Sequence, residues 1–339
     1  CIRDRFYTHP SALPTVARGS IKLDLHRRDF TINTLALRLD GQHYGELYDY
    51  WGGLADLRSQ VVKVLHSLSF VDDPTRILRA VRYEQRYGFK LDVRTRDLMM
   101  EAKGLLKRVS GDRIRHELDR IQEEDLAPAM MDRLAELTML GAIHPDLIWN
   151  EDLSALIQTL PSKIPPKEWL VGEIREIPLS KSLFYIVWLM HSHESSKAKT
   201  RLRLVSALTE IIQQAAHLRS ILADLEDKKP SQVTTILDRV PNLAIYAVYL
   251  DCKRAELKGI LSHYLSSWQH VESSITGKHL QERGLAPGPR YAEILSELRN
   301  AWLDEKISTK AEEKKYLNDL LAAGEENSPD NEGDPDPEG

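Results

Sequence analysis

Helical spacing dominates the sequence from Pro74 to about residue 323, where apolar residues recur every three or four positions. Prolines interrupt this spacing repeatedly and predict where one helix ends and the next begins. The predicted helices cover roughly residues 74–87, 93–106, 111–123, 126–139, 151–160, 181–192, 198–224, 231–239, 242–250, 253–269, 291–303 and 310–323. Such a run of helices restricts the fold to one whose larger part is all-α.

The first 58 residues have a different pattern, with turns and short runs of alternating polarity. LALRLDG and YGELYDYW alternate apolar and polar residues on either side of Gly41, which predicts a β-hairpin. GGLADLRSQ predicts a short helix, and the β-branched run VVKVL predicts a short strand. The fold class that follows is α+β, with short strands first and a long helical part after them.

One predicted helix has an unusual charge pattern, in the sequence DDPTRILRAVRYEQRYGF. An α-helix turns about 100° per residue, so four of its arginines fall within a stripe roughly 120° wide. We name this set the arginine ridge: Arg76, Arg79, Arg82 and Arg86. Asp73 is predicted to cap this helix, Pro74 to open its first turn and Gly88 to end it.

The ridge contains no glutamate at helical spacing, so its arginines are expected to lack local partners and to repel one another. An anionic ligand would explain them, because a guanidinium group matches phosphate and base edges. Asp72 and Asp73 come just before Arg76, so a carboxylate and a guanidinium one turn apart can offer an acceptor and a donor to a base. A solvated surface face is the alternative.

The sequence DLHRRDFTIN, residues 24–33, is a second candidate site. Arg27 and Arg28 offer donors suited to a triphosphate. Asp29 and Asn33 are four residues apart, on one helical face, where they can accept from and donate to a ribose hydroxyl. In the alternative interpretation, Asp29 caps a helix and Arg28 forms a surface ion pair.

Two further stretches carry weaker signals. The paired glycines of DYWGGLADL permit a sharp change of direction and predict a hinge, since the spacing of a nucleotide-binding loop is absent. In VSGDRIRHELDRI, three arginines can approach an RNA backbone, as can Arg86 at the end of the ridge: Arg113, Arg115 and Arg120. A helix with ion pairs such as Asp112–His116 is the alternative.

Charge is distributed unevenly along the chain, although its net value is only −5. Residues 1–121 carry a net charge of +6, which permits polyanion binding, and residues 311–339 carry −8. From Gly324 the chain lacks apolar side chains and is expected to be disordered. No apolar run is long enough for a membrane span, and two cysteines exclude a disulfide framework, so the cytoplasm is the expected location.

Taken together, DLHRRDFTIN, DYWGGLADL and SFVDDPTRILRAVRYEQRYGF resemble the class II tRNA nucleotidyltransferase and bacterial poly(A) polymerase family over about residues 1–121. HPSALP and GLAPGP look closest to its long bacterial members, in which CBS and DHH phosphoesterase domains precede the polymerase part. The resemblance implies part of a polymerase-β-like nucleotidyltransferase head, then an all-α neck and body. The expected domains are a head at 1–58, a neck at 59–121, a helical body at 122–270, a helical tail at 271–323 and a disordered acidic tail at 324–339.

The resemblance also implies a role for individual residues. Those that bind the triphosphate and ribose are Arg27, Arg28, Asp29 and Asn33. Those that read the base are Asp72, Asp73 and Arg76. Asp72 stands where the family usually has glutamate. Two further nucleotide-binding arginines of the family are matched by Arg79 and Arg82. A flexible segment couples head and neck through Asp49, Gly52 and Gly53.

The sequence departs from the family in one respect. Relatives carry a GG…RD segment and a DxD pair that holds Mg²⁺ ions, which activate the primer 3′-hydroxyl and neutralise the leaving pyrophosphate. This sequence shows neither. We therefore expect the C-terminal part of a longer polymerase, with Mg²⁺ ligands upstream and neither catalytic carboxylates nor a metal site in this chain. Alone, it is expected to bind a nucleotide but not to polymerise.

The expected activity of the full protein is transfer of nucleotides from ATP, with CTP as an open second substrate, to the 3′ end of tRNA or another RNA. CCA addition, A addition and polyadenylation stay open, as does the oligomeric state. One alternative is a binding module for RNA or nucleotide without catalysis. A helical scaffold in which RRDFTIN is only structural is another.

Overall fold

The computed structural model describes residues 3–6, 15–18, 20–160, 164–192 and 197–326. The chain forms two compact units. The first contains Cys1–Ile164 and Glu173–Ala216, and the second contains Pro165–Gly172 and His217–Gly339. The expected division into head, neck, helical body, helical tail and acidic tail stays a prediction. Most of the acidic tail, from residue 327, lies outside the described residues.

The strands of the first unit are short and pair two by two. They are β1 (Arg3–Phe6), β2 (Thr15–Arg18), β3 (Ala36–Leu37), β4 (Leu47–Tyr48), β5 (Val61–Val62) and β6 (Lys90–Leu91). The predicted hairpin is confirmed, since β3 and β4 are antiparallel with Ala36 opposite Tyr48. β1 and β2 are also antiparallel. The VVKVL strand pairs in parallel with β6, which follows the arginine-ridge helix.

Helices, joined by loops and short 3₁₀ segments, make up most of the rest of the first unit, although the helix predicted for residues 126–139 is two helices because Thr138 is left-handed with φ of 58°. The α-helices are α1 (Ile21–His26), α2 (Gly53–Arg58), α3 (Ser69–Asp72), α4 (Arg76–Tyr87), α5 (Val93–Ala102), α6 (Gly111–Gln122), α7 (Ala127–Glu136), α8 (Met139–Ile143), α9 (Glu151–Thr159), α10 (Leu179–Leu189), α11 (Ala198–Arg201) and α12 (Ser206–Ile221), the last of which runs into the second unit. The α+β class is confirmed.

The arginine-ridge helix α4 begins at Arg76, two residues later than predicted. Asp73 does not cap it as an N-cap residue, because Thr75 holds that position. Asp73 instead accepts a hydrogen bond from the Thr75 amide, at 3.0 Å. The predicted end is confirmed, since Gly88 takes the left-handed conformation with φ of 64°.

The single helix predicted for residues 198–224 is wrong. It is two helices, α11 and α12, separated by Arg203 in a left-handed conformation with φ of 48°. A left-handed residue cannot continue an α-helix, and periodicity alone does not reveal it. The helix predicted for 93–106 likewise ends at Ala102, where a 3₁₀ segment, Lys103–Arg108, follows.

The apolar side of α4 anchors the ridge helix in the core of the first unit. Ile77, Leu78, Ala80 and Val81 are fully buried. α4 packs between α6 and α7, whose own apolar faces are buried as well. Because this side is fixed in the core, the arginine side must lie toward the neighbouring polar residues and the surface.

The described part of the second unit is built mainly of α-helices, with short 3₁₀ segments between them. The α-helices are α13 (Pro230–Leu237), α14 (Asn242–Asp251), α15 (Ala255–Ser266), α16 (Gly277–Glu282), α17 (Pro289–Leu303) and α18 (Lys310–Glu326). The last three form a small core around Leu280, Leu298 and Leu317, each fully buried. Within residues 20–160, 164–192 and 197–326, no helix combines the length and apolarity that a membrane span requires.

Candidate nucleotide site

An ion pair joins the RRDFTIN segment to the arginine ridge. One oxygen of Asp29, Oδ2, lies 2.6 Å from a terminal nitrogen of Arg79, and Asp29 is only 4% exposed. The other oxygen accepts hydrogen bonds from the Asn33 amide at 2.7 Å and from the Phe30 backbone at 3.0 Å. Burial is the largest influence on the pKa of Arg79 and lowers it, but the charges of Asp29 and Glu117 together with Tyr83 outweigh burial, so the pKa is raised.

Arg76 makes a second connection between the same two segments. One of its terminal nitrogens donates to the Arg27 carbonyl at 3.0 Å, and the other donates to the Ser69 hydroxyl at 2.7 Å. Arg27 and Arg28 both contact Asp24, so hydrogen bonds from Arg27 and Arg28 keep the pKa of that carboxyl below its ordinary value despite partial burial. Both guanidinium groups stay about half exposed and can still meet an anion.

Asp73 and Asp72 differ in their surroundings. The Oδ1 atom of Asp73 accepts hydrogen bonds from the Thr75 amide, the Thr75 hydroxyl and a terminal nitrogen of Arg113, at 3.0, 2.6 and 2.7 Å. Asp72 is 57% exposed and lies 3.8 Å from the His66 ring. The structure therefore fixes the second carboxylate tightly and leaves the first at the surface.

Acidic residues of α6 and of the loop after it form ion pairs with the second half of the ridge. Arg82, 7% exposed, lies 3.6 Å from the Glu117 carboxylate and 3.7 Å from that of Glu124. Burial raises the pKa of Glu117, and the charges of Arg79 and Arg82 offset only part of that rise. Arg86, at the end of the ridge, pairs with Glu124 at 3.1 Å.

The ridge arginines find no ion-pair partner at helical spacing within α4, as expected, but the expectation that they are left to repel one another is wrong. Each one has a partner from another segment, which the local sequence does not reveal. The buried Nε atoms of Arg79 and Arg82 nevertheless donate to no group in the described part of the chain. These two donors, unlike most buried polar atoms, are unsatisfied.

The ridge borders an open cleft of about 290 Å³. Its lining includes Asp73, Thr75, Arg79, Arg113, His116 and Glu117. Donors and acceptors of both charges thus converge beside the residues implied in base reading, which is the arrangement that a polar planar ligand requires.

The predicted hinge residues occupy the start of α2. Asp49 accepts hydrogen bonds from the backbone amides of Gly53 and Leu54, at 2.7 and 3.0 Å. Gly52 has a left-handed φ of 72°, and a Cβ on Gly53 would lie 2.3 Å from the Thr31 carbonyl oxygen. Both glycines are therefore needed in this conformation, and hinge motion stays a prediction.

The arginines proposed to meet RNA all have protein partners. Arg86 pairs with Glu124 and Arg113 with Asp73. Arg115 contacts Asp112 at 3.0 Å and also a backbone carbonyl beyond α11. The Asp112–His116 pair given as an alternative is wrong in detail, since Asp112 pairs with Arg115 and Arg203 instead.

Two family models match this chain. The first, described as the poly(A) polymerase head domain, matches residues 2–63. The second, described as a probable RNA and SrmB-binding site of polymerase A, matches residues 88–149. An A-adding tRNA nucleotidyltransferase of Geobacter sulfurreducens is 33% identical over 328 residues, which cover 92% of this chain and 36% of that protein.

Solved structures show the same similarity. A CCA-adding enzyme in complex with ATP is 30% identical with a TM-score of 0.71, over 92% of this chain and 74% of that one. The Thermotoga maritima CCA-adding enzyme in complex with tRNA is 32% identical with a TM-score of 0.68, over 89% and 74%. The chain belongs to the class II CCA-adding and poly(A) polymerase family.

Membership of this family confirms the resemblance read from the sequence. The chain spans little more than a third of the length of the Geobacter relative, at 36%. The nucleotide-binding roles assigned to individual residues stay predictions, but the structure brings several of them together: Arg27, Asp29, Asn33, Arg76 and Arg79.

Sequence reasoning missed the acidic partners of this site. Glu117 belongs to VSGDRIRHELDRI, for which the sequence predicts only arginine contacts and an Asp112–His116 pair, and Glu124 lies three residues beyond this stretch. Glu117 carried a signal, because a glutamate among apolar residues on the inward side of a predicted helix needs a buried cation, whereas Glu124 lies beyond the helix and carried none. Residues 20–160, 164–192 and 197–326 contain no cluster of three or more metal-ligating side chains. The described residues therefore do not form a site for the Mg²⁺ that the family resemblance implies.

Proposed function

We propose that this chain supplies the nucleotide-selecting neck and the RNA-binding body of an enzyme that adds nucleotides to the 3′ end of tRNA. ATP is the proposed donor, because the A-adding relative matches 92% of the chain and a related enzyme binds ATP. CTP is the alternative donor. We propose that the protein acts in the cytoplasm. We assign no step to Mg²⁺, because the described residues offer no cluster of ligands for it.

The Asp29–Arg79 ion pair, at 2.6 Å, is the observation that carries this proposal. It joins the segment implied in triphosphate and ribose binding to the helix implied in base reading. A nucleotide has these parts in one molecule, so a protein that selects it must hold both sets of contacts at a fixed separation. The Arg76 bond to the Arg27 carbonyl, at 3.0 Å, supports the same separation.

In this proposal, each group has a distinct role. Arg27 and Arg28 neutralise the triphosphate, and their half-exposed guanidinium groups are accessible to it. Asp29 orients Arg79 and Asn33 toward the sugar. A further set presents an acceptor and a donor to the base edge: Asp72, Asp73 and Arg76. Arg82, buried between Glu117 and Glu124, holds the ridge in place from the protein side.

The base-reading step rests on hydrogen-bond polarity. A carboxylate accepts a hydrogen bond from the exocyclic amino group of adenine or cytosine. Guanine and uracil present a carbonyl oxygen at the matching position, which a carboxylate repels. Asp73 therefore favours ATP and CTP over GTP and UTP. In this proposal the protein side chains, and not a nucleic-acid template, select the nucleotide.

The test uses the complete product of the gene with two tRNA transcripts, one ending in CC and one lacking all three terminal nucleotides. Each is incubated with ATP alone, CTP alone or both, and the products are sequenced. One adenylate added to the CC transcript supports A addition. CTP incorporation identifies a CCA-adding enzyme, and long adenylate tails on unrelated RNA identify a poly(A) polymerase.

A binding module without catalysis remains the second candidate, favoured by the lack of a metal-ligand cluster among the described residues. It predicts tRNA and ATP binding by filter retention without any extension of the transcript. Extension by the complete gene product would exclude it.

A further inference from the structure

Helix α6 reaches the base-reading carboxylate from outside the nucleotide motifs. A terminal nitrogen of Arg113 donates to Oδ1 of Asp73 at 2.7 Å, from a position 40 residues later in the chain. This contact was not expected, because the sequence assigned Arg113 to the RNA backbone. It places a positive charge beside a residue proposed to discriminate between bases.

The hydrogen bonds of Asp73 divide its two oxygens. Oδ1 accepts from the Thr75 amide, the Thr75 hydroxyl and Arg113. Among the described residues no donor binds Oδ2, so this oxygen alone is left to meet a ligand. Two donors of Thr75 come from the same turn as Asp73 and cannot by themselves stop the carboxylate rotating with that turn. Arg113 ties it to a separate helix.

Rotation of a carboxylate changes base discrimination, because adenine presents an amino donor at the position where guanine presents a carbonyl acceptor. A fixed Oδ2 rejects the guanine carbonyl, whereas a mobile carboxylate can turn away from it. We propose that Arg113 is a positioning residue that sets base selectivity by holding the Asp73 carboxylate. This inference rests on the proposed function, since it assigns a partner to the same site.

The guanidinium of Arg113 is 54% exposed, so a direct contact with RNA competes with this proposal. The two differ in what they change. A positioning residue alters the discrimination between nucleotides, whereas an RNA contact alters tRNA affinity and leaves nucleotide discrimination unchanged.

The test measures equilibrium dissociation constants for ATP and GTP by calorimetry on the 339-residue chain. The variants are Arg113→Ala, Arg113→Lys, Asp73→Ala and the double variant Asp73→Ala with Arg113→Ala. Arg96→Ala is the matched control, because it removes the same charge from an exposed position of α5. Thermal unfolding of each variant confirms that it is folded, and tRNA affinity is measured in parallel.

We expect Arg113→Ala to reduce the ratio of the GTP to the ATP dissociation constant by roughly tenfold, the loss of one charge-assisted hydrogen bond. Arg113→Lys should restore part of it, and the control should leave it unchanged. In the Asp73→Ala background, Arg113→Ala should have no further effect, because the group it positions is gone.

Three other outcomes contradict the inference. If the wild type prefers ATP and Arg113→Ala keeps that preference, Arg113 does not position Asp73, although the proposed function stands. If Arg113→Ala lowers only tRNA affinity, it is an RNA contact. If the wild type does not bind ATP, the proposed function fails and the inference fails with it.

Discussion

The Arg79 guanidinium lies 2.6 Å from the Asp29 carboxylate, which is 4% exposed. The two residues belong to different motifs, fifty positions apart in the sequence. Their ion pair is stabilised by the hydrogen bonds that Asn33 and the Phe30 amide make to the other carboxylate oxygen. It fixes the spacing between the proposed phosphate-binding and base-reading groups.

Replacement of Asp29 by Ala should destabilise the first unit, because it leaves Arg79 and the Asn33 amide without their partner. We expect a loss of about 2–4 kcal/mol, toward the low end for buried charge pairs because a third of Arg79 is exposed. Urea denaturation measures it. The control is Asp40→Ala, which removes a carboxylate that is 74% exposed. A loss no larger than that of the control would show that the pair contributes nothing to stability.

Glu117 should make stability depend on pH. Its pKa is raised by burial above the ordinary 4.5, so the folded protein binds the proton more tightly than the unfolded chain does. Glu117 therefore contributes most to the free energy of unfolding below pH 4.5, its ordinary pKa. This contribution decreases as the pH rises through the raised pKa of Glu117 in the folded protein. We expect Glu117→Gln to lose this slope.

Urea denaturation of wild type and Glu117→Gln between about pH 4 and pH 8 measures the difference. The wild type should lose stability relative to the variant as pH rises. Parallel curves for the two proteins would contradict the assignment, because both would then titrate alike.

Gly52 and Gly53 should respond differently to alanine. A Cβ at Gly53 meets the Thr31 carbonyl oxygen at 2.3 Å, and backbone must move to relieve it. A Cβ at Gly52 meets no atom within 4 Å, so only its left-handed φ of 72° is strained. We expect Gly53→Ala to cost about 2–3 kcal/mol and Gly52→Ala about 1 kcal/mol, measured by urea denaturation. Equal costs, or the reverse order, would rule out the close approach to Thr31.

Glu313 should stabilise the second unit above acidic pH. This buried residue accepts hydrogen bonds from Ser273, Ser274 and the Trp302 ring nitrogen, the last at 2.8 Å. Burial acts to raise the pKa of Glu313, but these donors lower it below the ordinary 4.5. The carboxylate therefore stabilises the folded protein fully above pH 4.5, and this stabilisation is lost as the pH falls through the lowered pKa of the folded state. Glu313→Ala should cost about 2–4 kcal/mol near neutral pH.

Circular dichroism during urea denaturation measures this cost. Glu297→Ala removes an exposed carboxylate of α17 and serves as the control. A Glu313→Ala protein as stable as the control would mean that the buried carboxylate is not a structural partner of the two serines and Trp302.

Local patterns predicted those features that local physics determines. The apolar side of α4, from Ile77 to Val81, follows from helical spacing, and its end follows from Gly88. These features need only one segment of chain. Asp29 and Asn33 lie within hydrogen-bond distance of each other, but the prediction that they share a helical face is wrong, because Phe30 between them is extended and only Thr31–Thr34 forms a 3₁₀ turn.

Long-range contacts could not be predicted in the same way. The parallel pairing of Val61–Val62 with Lys90–Leu91 joins two strands across α4, and neither strand indicates its partner. The Arg113–Asp73 contact depends on how α6 packs against α4, which is a property of two buried faces together. A charged surface residue carries no local signal for such a partner.

The most direct test of the central claim is the dissociation constant of ATP for the wild type, Arg79→Ala and a control. Arg96→Ala is the control, since Arg96 is an exposed arginine of α5. Arg79→Ala should raise the constant by at least about tenfold, while Arg96→Ala should leave it within about twofold of the wild type. Equal ATP affinity of folded Arg79→Ala and wild type would show that the arginine ridge is not part of a nucleotide site.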